Sequence, residues 1–472
     1  MQRFRSATLW YTVVGFVGPA VALLLTPLYT RALGIAGYGT VDVVQSFWQG
    51  IFTVAFWGMG TVFAGLYTRS TDPARQQTVM ASVLLVTAVL AAVVGVAVAL
   101  WRVSIATLLA RPDVAPVLPL LAAALPFAVV NATFQALFRL RLDIGRSVAA
   151  TLGLVVISAG TRLGLVVWAD AGVTGMLWAL ALTNVAMALW CTVLGWRLVR
   201  CAVDWTLVRE ILWAGAPLLP VSIAGWVVLY ADRWLLASQV TAEALGQYAL
   251  AVLVASLAAF LFEPLKSAWL PVALRLRDSA FVAVSLRAAA GVIAVVVTGL
   301  VAAAPTALWL IGGGAAVAAA PLVLPLVVLP VASLWQTIVG VTAVRTVRTG
   351  VFGVSGVVAA GVNVGLNLLL IPRWGVMGAA WATAAAALAA TAVVCLRERQ
   401  LVASVVWTRD TAVWLGWSVL LGSWWWTGWW ELGVACSGAA ALSAWRTWQL
   451  WPVWRSAVEP QRDDAGVAGE IG

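Results

Sequence analysis

Six ionisable side chains stand inside long apolar stretches of this 472-residue chain: Asp42, Arg162, Asp232, Arg233, Glu263 and Lys266, with Arg31 at the end of another. Charged groups are costly in hydrocarbon and are retained where they bind or relay something. The cations have the chemistry to hold an anionic group, the carboxylates to take up a proton or Na⁺. Arg162 has no acid within four residues, so it needs a water-filled cavity or a partner on another helix. Asp232 and Arg233 are adjacent and point to different parts of a helix surface, so each is expected to find its partner on another helix. Glu263 and Lys266 are three apart on one face, with Pro264 between them, and read either as an internal ion pair or as a working pair. Asp42 has Gln45 one turn later. Asn131 with Gln135, and Asn363 with Asn367, share helix faces suited to interhelical hydrogen bonds. The chain contains no His, which excludes His-ligated zinc and His-based acid–base catalysis. Its four Cys, at 191, 201, 395 and 436, form no CxxC pair. No metal, cofactor or catalytic residue is expected.

The elements that position these groups follow from composition. Of all residues 63% are apolar and 10% charged, against about 45–50% and about 25% in a soluble domain. So few charges cannot cover a protein of this size in water, and lipid is the solvent that remains. Apolar runs long enough to cross a bilayer as helices recur along the chain. A membrane β-barrel is excluded because residues 84–100, LLVTAVLAAVVGVAVAL, are apolar on every face.

Fourteen spans are expected, near 8–30, 40–66, 79–100, 114–138, 148–168, 174–196, 211–232, 246–272, 288–310, 318–342, 351–371, 375–395, 411–427 and 429–446. With both termini cytoplasmic, 21 of the 28 basic residues fall in cytoplasmic segments. Arg31, Arg102, Arg111 and Arg373 fall outside, and Arg162, Arg233 and Lys266 within spans. The positive-inside rule is thereby met, and the net charge of +10 needs no nucleic-acid partner. Twelve of the 29 Trp lie between 407 and 454, as an aromatic belt at the headgroups would place them.

The chain also repeats itself. GVTGMLWA, 172–179, recurs as GVMGAAWA, 375–382, with five identities in eight and an offset of 203. Pro19 with YTRALG, 29–34, matches Pro220 with YADRWLLA, 230–237, at nearly the same offset, which sets Arg31 against Arg233. Spans 1–6 and 7–12 are therefore read as two copies of one unit, parallel because six is even. Such architectures bind substrate between halves and alternate access. The expected fold is an all-α polytopic membrane protein: a six-helix lobe over 1–203, a second over 204–400, two Trp-rich helices over 401–451 and a disordered cytoplasmic tail over 452–472.

Three blocks carry a family resemblance: GFVGPAVALLLTPLYTRALGIAGYGTVDVVQS, 15–46; GAPLLPVSIAGWVVLYADRWLLA, 215–237, followed by LGQYALA, 245–251; and NVGLNLLLIPRWGVMGAAWATAAA, 363–386. They resemble the polysaccharide-transport family, the O-antigen and teichoic-acid flippase group, whose superfamily also holds multidrug and toxic compound exporters and lipid II flippases. The resemblance implies a flippase of the cytoplasmic membrane that moves a polyprenyl-diphosphate-linked oligosaccharide outward, with membrane lipids and the polymerase and glycosyltransferases of the same pathway as further partners. Arg31, Arg162, Arg233 and Lys266 then become diphosphate or sugar contacts, and Asp42, Asp232 and Glu263 coupling-ion groups. The competing readings are a small-cation or drug exporter of the same superfamily and a membrane-bound polymerase; the short outer loops and absence of His argue against the latter. Replacing Arg162 or Arg233 by Ala is expected to stop transport and leave protein levels intact.

Overall fold

A computed structural model describes residues 2–199, 203–276 and 279–399. Every regular element among them is a helix, and ten stretches are long and apolar enough to cross a bilayer. Two are of double length: Val17–Thr68 has 52 residues and Gly350–Arg397 has 48, where one crossing takes about 20. The ten stretches thus supply twelve crossings, and the first twelve expected spans fall on them. The expected spans 411–427 and 429–446, the Trp-rich segment 401–451 and the tail 452–472 lie outside the described residues.

Glycine makes the double lengths possible. α1 (Gln2–Phe56) is broken at Gly34, whose φ of 69° and ψ of 166° are open essentially to glycine alone. It is followed by α2 (Met59–Thr68), α3 (Pro73–Leu100), the short α4 (Arg102–Leu108), α5 (Leu118–Leu140) and α6 (Ile144–Arg162). A π-helical turn, Leu163–Trp168, then leads to α7 (Gly172–Gly195), α8 (Trp205–Gly215) and α9 (Leu219–Ala237). The remainder is α10 (Ala242–Leu276), α11 (Ser279–Gly312), α12 (Ala320–Val339), α13 (Val341–Arg345) and α14 (Gly350–Arg397), which is broken at Gly375, φ 54°.

The sequence repeat has a backbone counterpart. Gly172 and Gly375, which open its two copies, both have positive φ, 57° and 54°. Three residues on, a Cβ on Gly175 would lie 2.9 Å from the Leu165 carbonyl oxygen, and one on Gly378 would lie 2.5 Å from that of Leu370. Each copy therefore uses one glycine to reverse the chain and a second to let the new helix press on the end of the old one.

Three helices start on aspartate caps. Asp72 accepts from the backbone N–H of Ala74 at 3.0 Å, Asp143 from Arg146 at 3.1 Å and Asp204 from Thr206 at 2.9 Å. Each satisfies N–H groups that the first helical turn leaves without intrahelical partners. All three caps fall in segments expected on the cytoplasmic side.

The chain divides into two compact units. One comprises Met1–Leu250, Leu308–Ala319 and Ala359–Thr383; the other comprises Ala251–Ala307, Ala320–Val358 and the described residues from Ala384 on. The main core of the first binds α2, α3, α5, α7 and α8 through Met59, Phe63, Met80, Phe134, Phe138, Met187, Leu207 and Ile211. Its outward residues include Leu24, Leu100, Val156 and Val193, an exposed apolar surface that suits lipid.

Candidate functional site

The first unit carries two charged clusters. In one, Arg233 on α9 is 4% exposed and is surrounded by acceptors and rings. Its Nε donates to Asp42 Oδ2 on α1 at 3.0 Å, and its Nη1 donates to Asp232 Oδ1 at 2.8 Å and to the Leu229 carbonyl at 2.6 Å. The guanidinium also lies over the Tyr230 and Tyr248 rings, at 5.3 and 5.7 Å. The Tyr248 hydroxyl donates to the second Asp232 oxygen. Adjacent residues on a helix do pair here, contrary to the expectation from spacing. The Arg233 side chain turns back along its own helix to reach both the carbonyl one turn earlier and its neighbour's carboxylate. Two carboxylates face one guanidinium, and Asp42 retains 24% side-chain exposure.

The second cluster centres on Arg162, the last residue of α6, where the helix passes into the π-helical turn. Such turns are rare and frequent at functional sites. Arg162 is half-buried, and no carboxylate among the described residues pairs with it. It lies within electrostatic reach of Tyr29 and Tyr38, which flank the Gly34 break. Tyr29 packs against Val166 of the π turn and Val41 and Met176, and its buried hydroxyl has no hydrogen-bond partner among the described residues. A cation without a carboxylate partner, within electrostatic reach of an unsatisfied donor, suits an anion with several acceptor oxygens.

The other expected residues divide between the units. Arg31 is exposed at a groove of about 270 Å³ formed with Thr30 and with Trp309 to Gly313, so the matched positions Arg31 and Arg233 have unlike surroundings. In the second unit Lys266 donates to Glu263 and, at 2.9 Å, to Ser333 Oγ, and the Glu263 side chain remains 60% exposed. Asn131 accepts from Gln135 at 2.9 Å and from the Cys191 thiol. Asn367 donates to Asn363 at 2.9 Å, and Asn363 to Thr383; the Asn367 Oδ1 atom is buried without a partner.

Sequence reasoning did not single out Tyr29, Tyr38, Tyr230 or Tyr248, yet four of the six tyrosines in the chain gather at these two clusters. Their scarcity was the available signal. Outside the spans, the Thr206 hydroxyl and backbone N–H hold the Asp204 carboxyl below the usual carboxylate range, with Arg75 acting in the same direction. Asp204 also pairs with Arg75 at 3.0 Å, and Glu210 with Arg69 at 2.7 Å, which tie α8 to the end of α2 and the first turn of α3.

Ten long apolar helical stretches, two of them of double length and all with few charges, define a multi-pass membrane protein. Residues 4–277 match the family described as Polysaccharide biosynthesis protein, and the chain belongs to that family. It shares its fold with the lipid II flippase MurJ in an inward closed conformation, at a TM-score of 0.73 and 11% identity over 95% of this chain and 99% of that one. A multidrug resistance MATE family transporter of the MOP superfamily aligns in its inward-facing conformation at 0.66 and 16% identity, over 84% of this chain and 99% of that one. The outward-facing conformation of such a transporter aligns at 0.56 and 16%, over 85% and 96%. No curated protein matches the chain by sequence.

Proposed function

We propose that this protein is a flippase carrying a polyprenyl-diphosphate-linked oligosaccharide from the cytoplasmic to the outer leaflet of the cell membrane, without chemical change to the cargo. In this reading the two six-helix lobes, 1–203 and 204–400, rock to give alternating access, both termini are cytoplasmic, and the lipid tail stays in the bilayer. Pathway glycosyltransferases supply the cargo and a polymerase consumes it.

The observation that carries this reading is Arg162: an arginine inside a span, without a carboxylate partner among the described residues and within electrostatic reach of Tyr29, whose buried hydroxyl has no partner among them either. A diphosphate supplies both the charge and the acceptors that this pair lacks. Arg31, exposed at its groove, is a second contact at the end of the path. Arg233 and Lys266 are already engaged by carboxylates and act on the cargo only if those pairs open. Asp42 and Asp232 leave one negative charge uncompensated by Arg233, which gives a proton or Na⁺ a place to bind; in the second unit Glu263, paired with Lys266 but 60% exposed, is the candidate for that role. The membrane potential assists independently, by about 2.3 kcal/mol per negative charge moved outward per 100 mV.

The same uncompensated carboxylate is the feature a small-cation exporter would use, and one experiment separates the two. In proteoliposomes, Arg162→Ala is expected to reduce flipping of a fluorescent polyprenyl-diphosphate glycan at least tenfold, with folded protein retained. Unaltered flipping in that variant refutes the assignment of Arg162, and proton-driven ethidium efflux by the wild type supports the exporter.

A further inference from the structure

Within the first unit, α9 lies antiparallel to the part of α1 that follows Gly34. Asp42 meets Arg233, Ser46 meets Trp234 and Trp226, and Gly50 meets Trp226. Along this seam a single serine fixes two indoles. The Ser46 carbonyl accepts from Trp226 Nε1 at 3.0 Å, and its hydroxyl accepts from Trp234 Nε1 at 2.9 Å. The two rings meet edge to face at 4.9 Å, and Phe47 packs on Trp234 at 5.8 Å. A Cβ at Gly50 would lie 2.9 Å from the Trp226 ring, so the ring rests on bare backbone. Both indole N–H groups are thus engaged within the protein and the rings are held, while Trp226 and Trp234 remain only half-buried. Tyr230, also half-buried, stands one turn from each.

Beside these rings runs a polar stripe. Asp42, Gln45 and Gln49 follow one another at helical spacing on α1, so they share a flank of the helix. Gln45 is half-buried and Gln49 exposed, and neither carboxamide has a hydrogen-bond partner among the described residues. Inside an apolar span such amides are costly against lipid and must meet water or a polar ligand.

We infer that Trp226, Tyr230, Gln45 and Gln49 form the surface that reads the sugar of the cargo, a deepening that rests on the flippase reading above. Pyranose rings present a C–H face and a rim of hydroxyls. Held aromatic rings fit the first; carboxamides, which donate and accept, fit the second. None of these four groups is charged, so they bring no cation to a phosphate and favour a neutral, hydroxyl-rich ligand. Asp42 at the end of the stripe disfavours an acidic sugar, and the surface suits neutral or N-acetylated hexoses. From Asp42 to Gln49 the helix rises about 10 Å, room for two rings laid end to end.

The test uses the full chain in nanodiscs and three probes: bare polyprenyl diphosphate, the same lipid carrying a neutral N-acetylhexosamine disaccharide, and the same carrying a uronic-acid disaccharide. The wild type is expected to bind the neutral-sugar probe about tenfold more tightly than the bare lipid, the equivalent of about 1.4 kcal/mol, and the uronic-acid probe no more tightly than the bare one. Trp226→Ala and Gln49→Ala are expected to erase that tenfold preference and leave affinity for the bare lipid unchanged, and Trp226→Phe to keep most of it. Arg162→Ala is expected to weaken all three probes alike. Equal binding of bare and neutral-sugar probes by the wild type overturns the inference and leaves the diphosphate reading standing, as does a preference that survives both Trp226→Ala and Gln49→Ala. Binding of none of the probes overturns both.

Discussion

Replacing Arg233 by Met keeps an unbranched stem in the same space and removes only the charge and its donors. The structure sets the size of the effect. Asp232 is 1% exposed and would keep the Tyr248 hydroxyl as its one side-chain donor among the described residues. Asp42, with 24% of its side chain exposed, can be hydrated and adds less. Removing one member of a buried ion pair costs about 3–5 kcal/mol, largely the penalty of the charge left behind. Arg233→Met is therefore expected to lower stability by about that amount, and Arg233→Ala by no less, which corrects the sequence-based expectation that loss of Arg233 leaves protein levels intact. Adding Asp232→Asn removes the stranded charge and keeps an acceptor for Tyr248, so the double variant should recover at least half of the loss. The assay is thermal unfolding of the detergent-solubilised protein followed by gel filtration, with wild type, both single variants and the double variant side by side. If Arg233→Met unfolds at the wild-type temperature, or the double variant is less stable than Arg233→Met, then Arg233 does not hold this cluster together and the reasoning fails.

Backbone strain alone is tested at Gly34: no atom lies within 4 Å of a Cβ built there, yet Gly34→Ala is expected to cost about 1–3 kcal/mol because its φ/ψ is closed to alanine. The helical Gly361, equally open around its Cβ position, provides the control, since Gly361→Ala is expected to be neutral or slightly stabilising in the same thermal assay. At the start of α8, the Asp204 carboxylate has a depressed folded-state pKa, so its contribution is complete above the ordinary aspartate range and disappears as pH falls through the lower folded value. Amide hydrogen exchange over residues 205–215 should accordingly accelerate, beyond its intrinsic pH dependence, on strong acidification in the wild type and show no such extra change in Asp204→Ala; matching profiles for the two proteins would count against the cap.

Much of the architecture was legible because membrane insertion reads composition directly. Long apolar runs must be helices in lipid. The repeat was legible for a steric reason: Gly172 and Gly375 reverse the chain, Gly175 and Gly378 admit the following helix, and no other residue type fits as well in either role. The lengths of the merged helices were not legible, because Gly34 and Gly375 interrupt the backbone for a single residue.

The candidate site divides in the same way. Sequence alone picked out which charges stand inside long apolar stretches, since the cost of burying them in hydrocarbon makes them few and conspicuous, and it pointed to the family through blocks at spans 1–2, 7–8 and 11–12. It could not say which of these charges are already neutralised. Arg233 and Arg162 look alike along the chain, but one turns back onto Asp232 and reaches Asp42, which lies 191 residues away, while the other pairs with no carboxylate among the described residues. A charge at membrane depth can be recognised from its neighbours in sequence, but whether it is free to hold a ligand depends on partners that other helices bring within about 3 Å, and only the packing of α1 against α6 and α9 decided that.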